Sequence, residues 1–189
     1  GILWIGTHKG LVKYDSKRKT FKGYNLPLGK GMELNNRVDV IRMDNKNRLW
    51  IGTHSGLNIF LPDEEKAYFL KTGIPNSVWT VYCAKDETIW YATYGAGLYQ
   101  IIPKGKKRSL EDGFELKSFH EKDGLSNEYV YAILPDAEEN LWISTDKGLS
   151  KMNPKTKTFE NFTAEEGLQS NEFNSGAYFL AEDGELYFG

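Results

Sequence analysis

The residues of this chain best suited to contact another molecule are aromatic, acidic and amide side chains in short polar turns. Trp79, Tyr94, Asn127, Glu128, Tyr129, Glu172 and Arg37 are the candidates. A flat indole or phenol can stack on the apolar C–H face of a sugar ring, while amide and charged groups take its hydroxyls. For Trp79, packing between neighbouring sheets is the competing reading. Glu128 and Glu172 fill positions where Arg37 stands in an earlier copy of the same turn, a charge reversal that points to recognition. Asn36, Asn76, Asn127 and Asn171 recur there too, as turn-forming residues do.

Catalytic chemistry finds no foothold. The chain has no Gly-x-Ser-x-Gly elbow, no phosphate-cradling glycine loop and no His-Glu-x-x-His pair. Its acidic residues are scattered over turns, so no acid and base pair stands out. His8 and His54 occupy equivalent turns but lack further ligands at metal spacing, so neither a metal nor a cofactor is expected. Net charge is −2, which gives no footprint for nucleic acid or an anionic membrane. The basic run Lys104–Arg108 reads as a surface loop within an insertion from Lys104 to Gly113. Cys83 is the single cysteine, so no intrachain disulfide forms. No stretch approaches the roughly 20 apolar residues of a membrane helix. The first residues, Gly1-Ile2-Leu3-Trp4, read as the middle of a strand, as expected of a piece of a longer protein.

The elements that position these residues come from a repeat. Trp4-Ile5-Gly6-Thr7-His8-Lys9-Gly10-Leu11 returns as Trp50-Ile51-Gly52-Thr53-His54-Ser55-Gly56-Leu57 and as Trp142-Ile143-Ser144-Thr145-Asp146-Lys147-Gly148-Leu149. Trp90-Tyr91-Ala92-Thr93-Tyr94-Gly95-Ala96-Gly97-Leu98 is a further copy with one extra turn residue, and another begins at Leu186-Tyr187-Phe188-Gly189. The periods run over residues 4–49, 50–89, 90–141 and 142–186, with a new start at 187–189. Repeats of roughly 40–50 residues with four short strands each are propeller blades. The predicted fold is all-β: a segment of about four blades of four-stranded antiparallel sheet, part of a larger propeller. Trp4, Trp50, Trp90 and Trp142 share one column and, with Gly6 and Gly52, read as packing elements. A second column, Asp39, Trp79, Tyr131 and Gly176, changes from copy to copy. The inner strands, such as Val38 to Met43, are apolar at both parities and are expected to be buried on both faces. Strand alternation places the His54, Tyr94 and Asp146 turns on one face with the links between blades, opposite the Asp44–Asn47 type of turn.

Leu-Trp-Ile-Gly-Thr-x-x-Gly-Leu at Leu49 to Leu57 and its counterpart at Leu141 to Leu149, with Gly-Leu links at Gly124 to Asn127 and Gly167 to Asn171, resemble the two-component regulator propeller repeat. The resemblance implies the periplasmic sensor region of a Bacteroides-type hybrid two-component system, with a cytoplasmic histidine kinase elsewhere in the parent. It implies an oligosaccharide ligand, other blades of the same chain as partners, and a homodimer as one assembly. Gly167 to Asn174 is similar to the link into the last blade before a β-sandwich. A protein-interaction scaffold, and behind it a propeller lyase or hydrolase, are the alternatives.

Overall fold

The computed structural model describes residues 1–28, 36–74, 77–104 and 113–189. Within them the chain folds as consecutive antiparallel meanders. Blade one holds β1 (Ile2–Thr7), β2 (Gly10–Asp15) and β3 (Thr20–Tyr24). Blade two holds β4 (Val38–Met43), β5 (Leu49–Thr53), β6 (Gly56–Leu61) and β7 (Lys66–Phe69). Blade three holds β8 (Val78–Cys83), β9 (Ile89–Thr93), β10 (Leu98–Pro103) and β11 (Phe114–Phe119). Blade four holds β12 (Val130–Pro135), β13 (Leu141–Thr145), β14 (Gly148–Asn153) and β15 (Thr158–Phe162). Two further strands, β16 (Tyr178–Leu180) and β17 (Leu186–Phe188), pair with each other rather than with β1. Two short 3-10 helices, Glu121–Asp123 and Ala164–Glu166, lead into the links that follow blades three and four.

The core lies between blades. Trp50 and Leu57 of blade two pack with Val78, Val81 and Tyr91 of blade three. Trp90, Leu98 and Phe119 of blade three pack with Val130, Ile133 and Ile143 of blade four. Leu11 and Trp4 of blade one meet Ile51 and Phe60 of blade two. The tryptophan column therefore packs between blades, with Trp50 and Trp90 essentially sealed, and Trp4 and Trp142 half-buried.

A polar clamp holds two of these tryptophans. Asp44 accepts backbone N–H bonds from Lys46 and Arg48 on one oxygen, and bonds from Arg48 Nε and Trp50 Nε1 at 2.7 and 2.8 Å on the other. Asp136 does the same for Glu138, Asn140 and Trp142 Nε1. Burial alone would raise the Asp44 carboxyl, but the bonds from Trp50 and Arg48 outweigh it and hold it below its ordinary value. Blade three has Ala84 at the clamp position, and Lys157 instead lies 4.9 Å over the Trp90 ring.

Gly52 shows why the motif carries a small residue there. A Cβ on it would sit 2.6 Å from the Val78 carbonyl oxygen, so a side chain would push blade three away. Blades one and two are further tied by Glu65, which accepts from Lys13 at 3.3 Å, from Tyr24 at 2.8 Å and from Lys22.

One expectation is corrected. Burial on both faces holds for β12, where Val130, Ala132, Ile133 and Leu134 are all buried. It fails for β4, where Ile41 is half-buried and Met43 is exposed. The neighbouring first sheet is formed by β1, β2 and β3, and among the described residues no inner strand of that sheet covers the outer side of β4.

Candidate functional site

The second column is set apart by backbone geometry. Each of the inner strands β4, β8 and β12 loses register with its neighbour at one residue: between Val38 and Val40, between Val78 and Thr80, and between Val130 and Ala132. The surplus residues are Asp39, Trp79 and Tyr131. A β-bulge leaves such a residue without a partner across the ladder and re-aims its side chain. The same device, repeated in three blades, presents three different side chains near the face that carries the variable turns.

Around Trp79 the bulges assemble an aromatic group. The Trp79 ring centroid lies 4.5 Å from Tyr94 and 5.5 Å from Tyr131. Tyr94, from the turn after β9, forms an isolated antiparallel bridge with Tyr129, just before β12, and their rings meet edge-on at 4.7 Å. The extra turn residue makes this approach possible. Gly95 has φ +83 and lies so close to the Tyr129 ring that a Cβ would be 3.2 Å from it. Tyr94 and Tyr129 remain 48% and 37% exposed, so the group is open to solvent. The Tyr131 hydroxyl donates to Asp146, and burial together with that bond pushes its phenol upward.

Trp79 also borders a cleft of about 320 Å³, together with Arg37, Asp39, His8, Gly176 and Tyr178. Arg37 Nε is paired with Asp39 Oδ1 at 2.7 Å. The second Asp39 oxygen is buried and has no hydrogen-bond partner among the described residues. Tyr178 accepts from Arg42 Nη2 at 3.0 Å and also borders a separate cleft with Val81 and Ile133.

The remaining sequence candidates occupy other settings. Asn127 is buried; its amide donates to Glu121 and its oxygen accepts from the Tyr129 N–H. Glu128 accepts from the Glu121 N–H on one oxygen and meets His120 Nδ1 at 3.0 Å on the other. Both therefore brace the link that carries Tyr129. Glu172 is exposed, and its charge contributes to raising the Tyr131 phenol, but it borders a different cleft with Leu168 and Phe173. Of the sequence candidates, Trp79, Tyr94 and Tyr129 come together, and Arg37 shares a cleft with Trp79. Asp39, Tyr131 and Asp146 are the members that sequence reasoning left out. The signal for the first two was the non-repeating column itself.

His54 Nδ1 meets Ser77 Oγ at 2.9 Å, on the same face. Among the described residues no group of three His, Cys, Asp or Glu side chains is placed to hold a metal ion. Asn76 and Lys106, along with most of the Lys104 to Gly113 insertion, lie outside the described residues. On the opposite face a cleft of about 290 Å³ opens between blades three and four, beside Asp86 and Asn140. Its indole, Trp90, is buried and offers no open ring.

Four-stranded meanders stacked through a tryptophan column, with variable side chains raised on one face, define a segment of a β-propeller. The two-component regulator propeller model matches residues 33–55 and 124–147. Those two stretches are two-component regulator propeller repeats. Over its whole length it is 32% identical to histidine kinase P4 of Formosa agariphila, of which it spans 14%. It is similar, at 29% identity and a TM-score of 0.78, to the extracellular domain of the putative hybrid two-component system BT3049 from B. thetaiotaomicron, covering all of this chain and 25% of that one. Virginiamycin B lyase from Staphylococcus aureus shares the fold at a TM-score of 0.71 but only 13% identity, with all of this chain and 59% of the lyase covered. The chain thus spans a minor part of the histidine kinase and of the extracellular domain that it matches.

Proposed function

We propose that this chain is part of the extracytoplasmic sensor of a hybrid two-component system, and that its variable-turn face receives an oligosaccharide whose binding is relayed to a histidine kinase in the same parent protein. The likeness to a histidine kinase and to an extracellular two-component domain supports the sensor role. The observation that carries the ligand class is the open aromatic group of Trp79, Tyr94 and Tyr129, raised on a bulge at the face where turn sequences differ. Rings of this kind stack on the apolar faces of sugars without requiring charge, and each leaves polar edges for hydroxyls. The turns of the opposite face are instead occupied by the Asp44 and Asp136 clamps.

A glycan array probed with this chain, followed by calorimetry on the best oligosaccharide, tests the reading. Trp79→Ala and Tyr94→Ala should each weaken binding about tenfold or more, the range for a lost aromatic contact, and Lys85→Ala, on the opposite face, should leave it unchanged. Loss confined to Lys85→Ala would place the site on the opposite face, and an array with no bound glycan would remove the ligand class.

A further inference from the structure

We propose that the cleft between blades three and four, on the face opposite the variable turns, binds a small organic carboxylate, one oxygen of which accepts from Trp90 Nε1 where the neighbouring blades use an aspartate of their own. This site is distinct from the aromatic group around Trp79 and does not depend on the oligosaccharide reading.

The column tryptophans share one electrostatic arrangement. Each carries a cation near its ring: Lys13 lies 5.8 Å from the Trp4 centroid, Arg48 5.7 Å from Trp50, Lys157 4.9 Å from Trp90 and Lys151 5.3 Å from Trp142. Three of these cations also meet a carboxylate: Lys13 with Glu65 at 3.3 Å, Arg48 with Asp44 at 2.7 Å and Lys151 with Asp136 at 3.8 Å. Lys157 instead donates to the neutral Gln100 Oε1 at 3.0 Å, and no carboxylate among the described residues pairs with it. Burial, and after it the neighbouring Lys117, hold its ammonium below the ordinary lysine value, as befits a cation without a counter-charge.

The Trp90 indole lacks the same group. Trp50 Nε1 donates to Asp44 at 2.8 Å and Trp142 Nε1 to Asp136 at 3.1 Å. Trp90 Nε1 has no hydrogen-bond partner among the described residues, because Ala84 stands at the aspartate position. The turn itself is the same. The Ala84 N–H donates to the Thr88 carbonyl at 2.9 Å and the Glu87 N–H to Ala84 at 3.1 Å, matching Asp44 and Asn47 in blade two at 3.0 and 3.2 Å. Trp90 also pairs with Tyr82 and Gln100 as Trp50 pairs with Arg42 and Ile59. Its N–H is therefore aimed beside the Ala84 methyl group, and both residues border the cleft. Trp90 is only 2% exposed, yet its Nε1 is not among the sealed polar atoms that lack a partner, so a group in the cleft can reach it. A buried N–H left without an acceptor is unfavourable.

The surroundings suit a carboxyl group. Three cations, Lys85, Lys155 and Lys157, and three acids, Asp86, Glu138 and Glu139, surround the cleft, so their field as a whole neither draws nor repels an anion. Selection falls to individual contacts. Asp86 accepts from the Thr88 N–H and hydroxyl, each at 3.0 Å, Glu139 pairs with Lys85 at 3.5 Å, and Glu138 accepts from Asn140 at 3.5 Å. The cations left for a ligand are Lys157 and the exposed Lys155. A carboxylate takes a stronger bond than a neutral oxygen from such donors. About 290 Å³ has room for a carboxyl group bearing one ring or a short chain, at about 30 Å³ per water-sized group.

The test titrates the whole chain with acetate and benzoate, with acetamide and benzamide as neutral counterparts and sodium chloride at matched ionic strength. The assigned Trp90 indole N–H resonance reports the site, and circular dichroism verifies the folding of each variant. At least one carboxylate should move the Trp90 proton downfield and saturably, leave the Trp50 and Trp142 indoles in place, and bind about tenfold tighter than its amide. Ala84→Asp should move the Trp90 proton downfield without any ligand and weaken the carboxylate about tenfold or more. Lys157→Gln should narrow the advantage of carboxylate over amide, and it decides the role of charge even where Ala84→Asp does not fold. A Trp90 resonance unmoved by both carboxylates, or moved equally by their amides or by sodium chloride, overturns the site. Undiminished binding to a folded Ala84→Asp overturns it as well. None of these outcomes bears on the glycan array, so the two readings fail separately.

Discussion

Two aromatic-bearing columns run through the same blades and are treated in opposite ways. Trp50 and Trp90 lie within regular ladders, are almost completely buried and pack one blade on the next. Asp39, Trp79 and Tyr131 sit at bulges, are only partly buried and differ from blade to blade. The difference teaches that burial and ladder pairing fix a residue's identity, while release from the ladder frees it. A propeller can hold its shape with one column and present chemistry with the other.

The sharpest way to break this comparison is to truncate one tryptophan from each column. Trp50→Ala should cost about 3–5 kcal/mol, because it empties a sealed site between blades. Trp79→Ala should cost far less, since the indole faces a cleft and the open Tyr94 ring. Denaturant midpoints measure both, and equal losses would mean that the columns share one structural role.

Steric tightness gives the next contrast. Gly52→Ala places a methyl group 2.6 Å from the Val78 carbonyl oxygen and 2.6 Å from a Val40 methyl, and should destabilise by about 1–3 kcal/mol. Thermal unfolding would show it. A neutral result would mean that blades two and three are less tightly apposed than this geometry requires.

The same substitution, made at the clamp of the first column and within the second, sharpens the point further. Asp44→Asn breaks a clamp on Trp50 and Arg48 and should cost about 1.5–3 kcal/mol, the range for hydrogen bonds to a charged group. Asp39→Asn should leave stability nearly unchanged. The pH dependence follows from the sign of the shift. Because the Asp44 carboxyl is held below its ordinary value of 3.8, its contribution is fully present above that pH and is lost as the pH falls through the lower, folded value. Wild type should therefore lose stability on acidification below about pH 4, and Asp44→Asn should lose less over that window. A variant with an unchanged acid profile would remove the clamp from the account.

Much of this architecture is legible in the residues. Leu-Trp-Ile-Gly-Thr and its copies declare the blades, because the same packing problem is solved at each junction. The clamp is written as an Asp six residues before Trp50 and again before Trp142, and is visibly missing where Ala84 precedes Trp90. The contrasting column is visible as a position that refuses to repeat. The bulge is not, since it is a one-residue surplus in pairing and depends on the register of two strands. Asn127 and Glu128 look like recognition residues in sequence. Their bonds to Glu121 and His120 appear only when the 3-10 turn folds back on the link. The insertion offers a basic run, but residues 105–112 of the insertion fall outside the described part of the chain.

The bulges also bear on how such a protein changes over generations. A blade copied by duplication inherits a position whose side chain no neighbouring strand requires. Drift there carries little folding penalty, so each copy can be tried with an acid, an indole or a phenol while the sheet around it persists. Asp39, Trp79 and Tyr131 read as three outcomes of that trial within one chain. New ligand preferences can then arise by single substitutions, without the compensating changes that an altered core would demand.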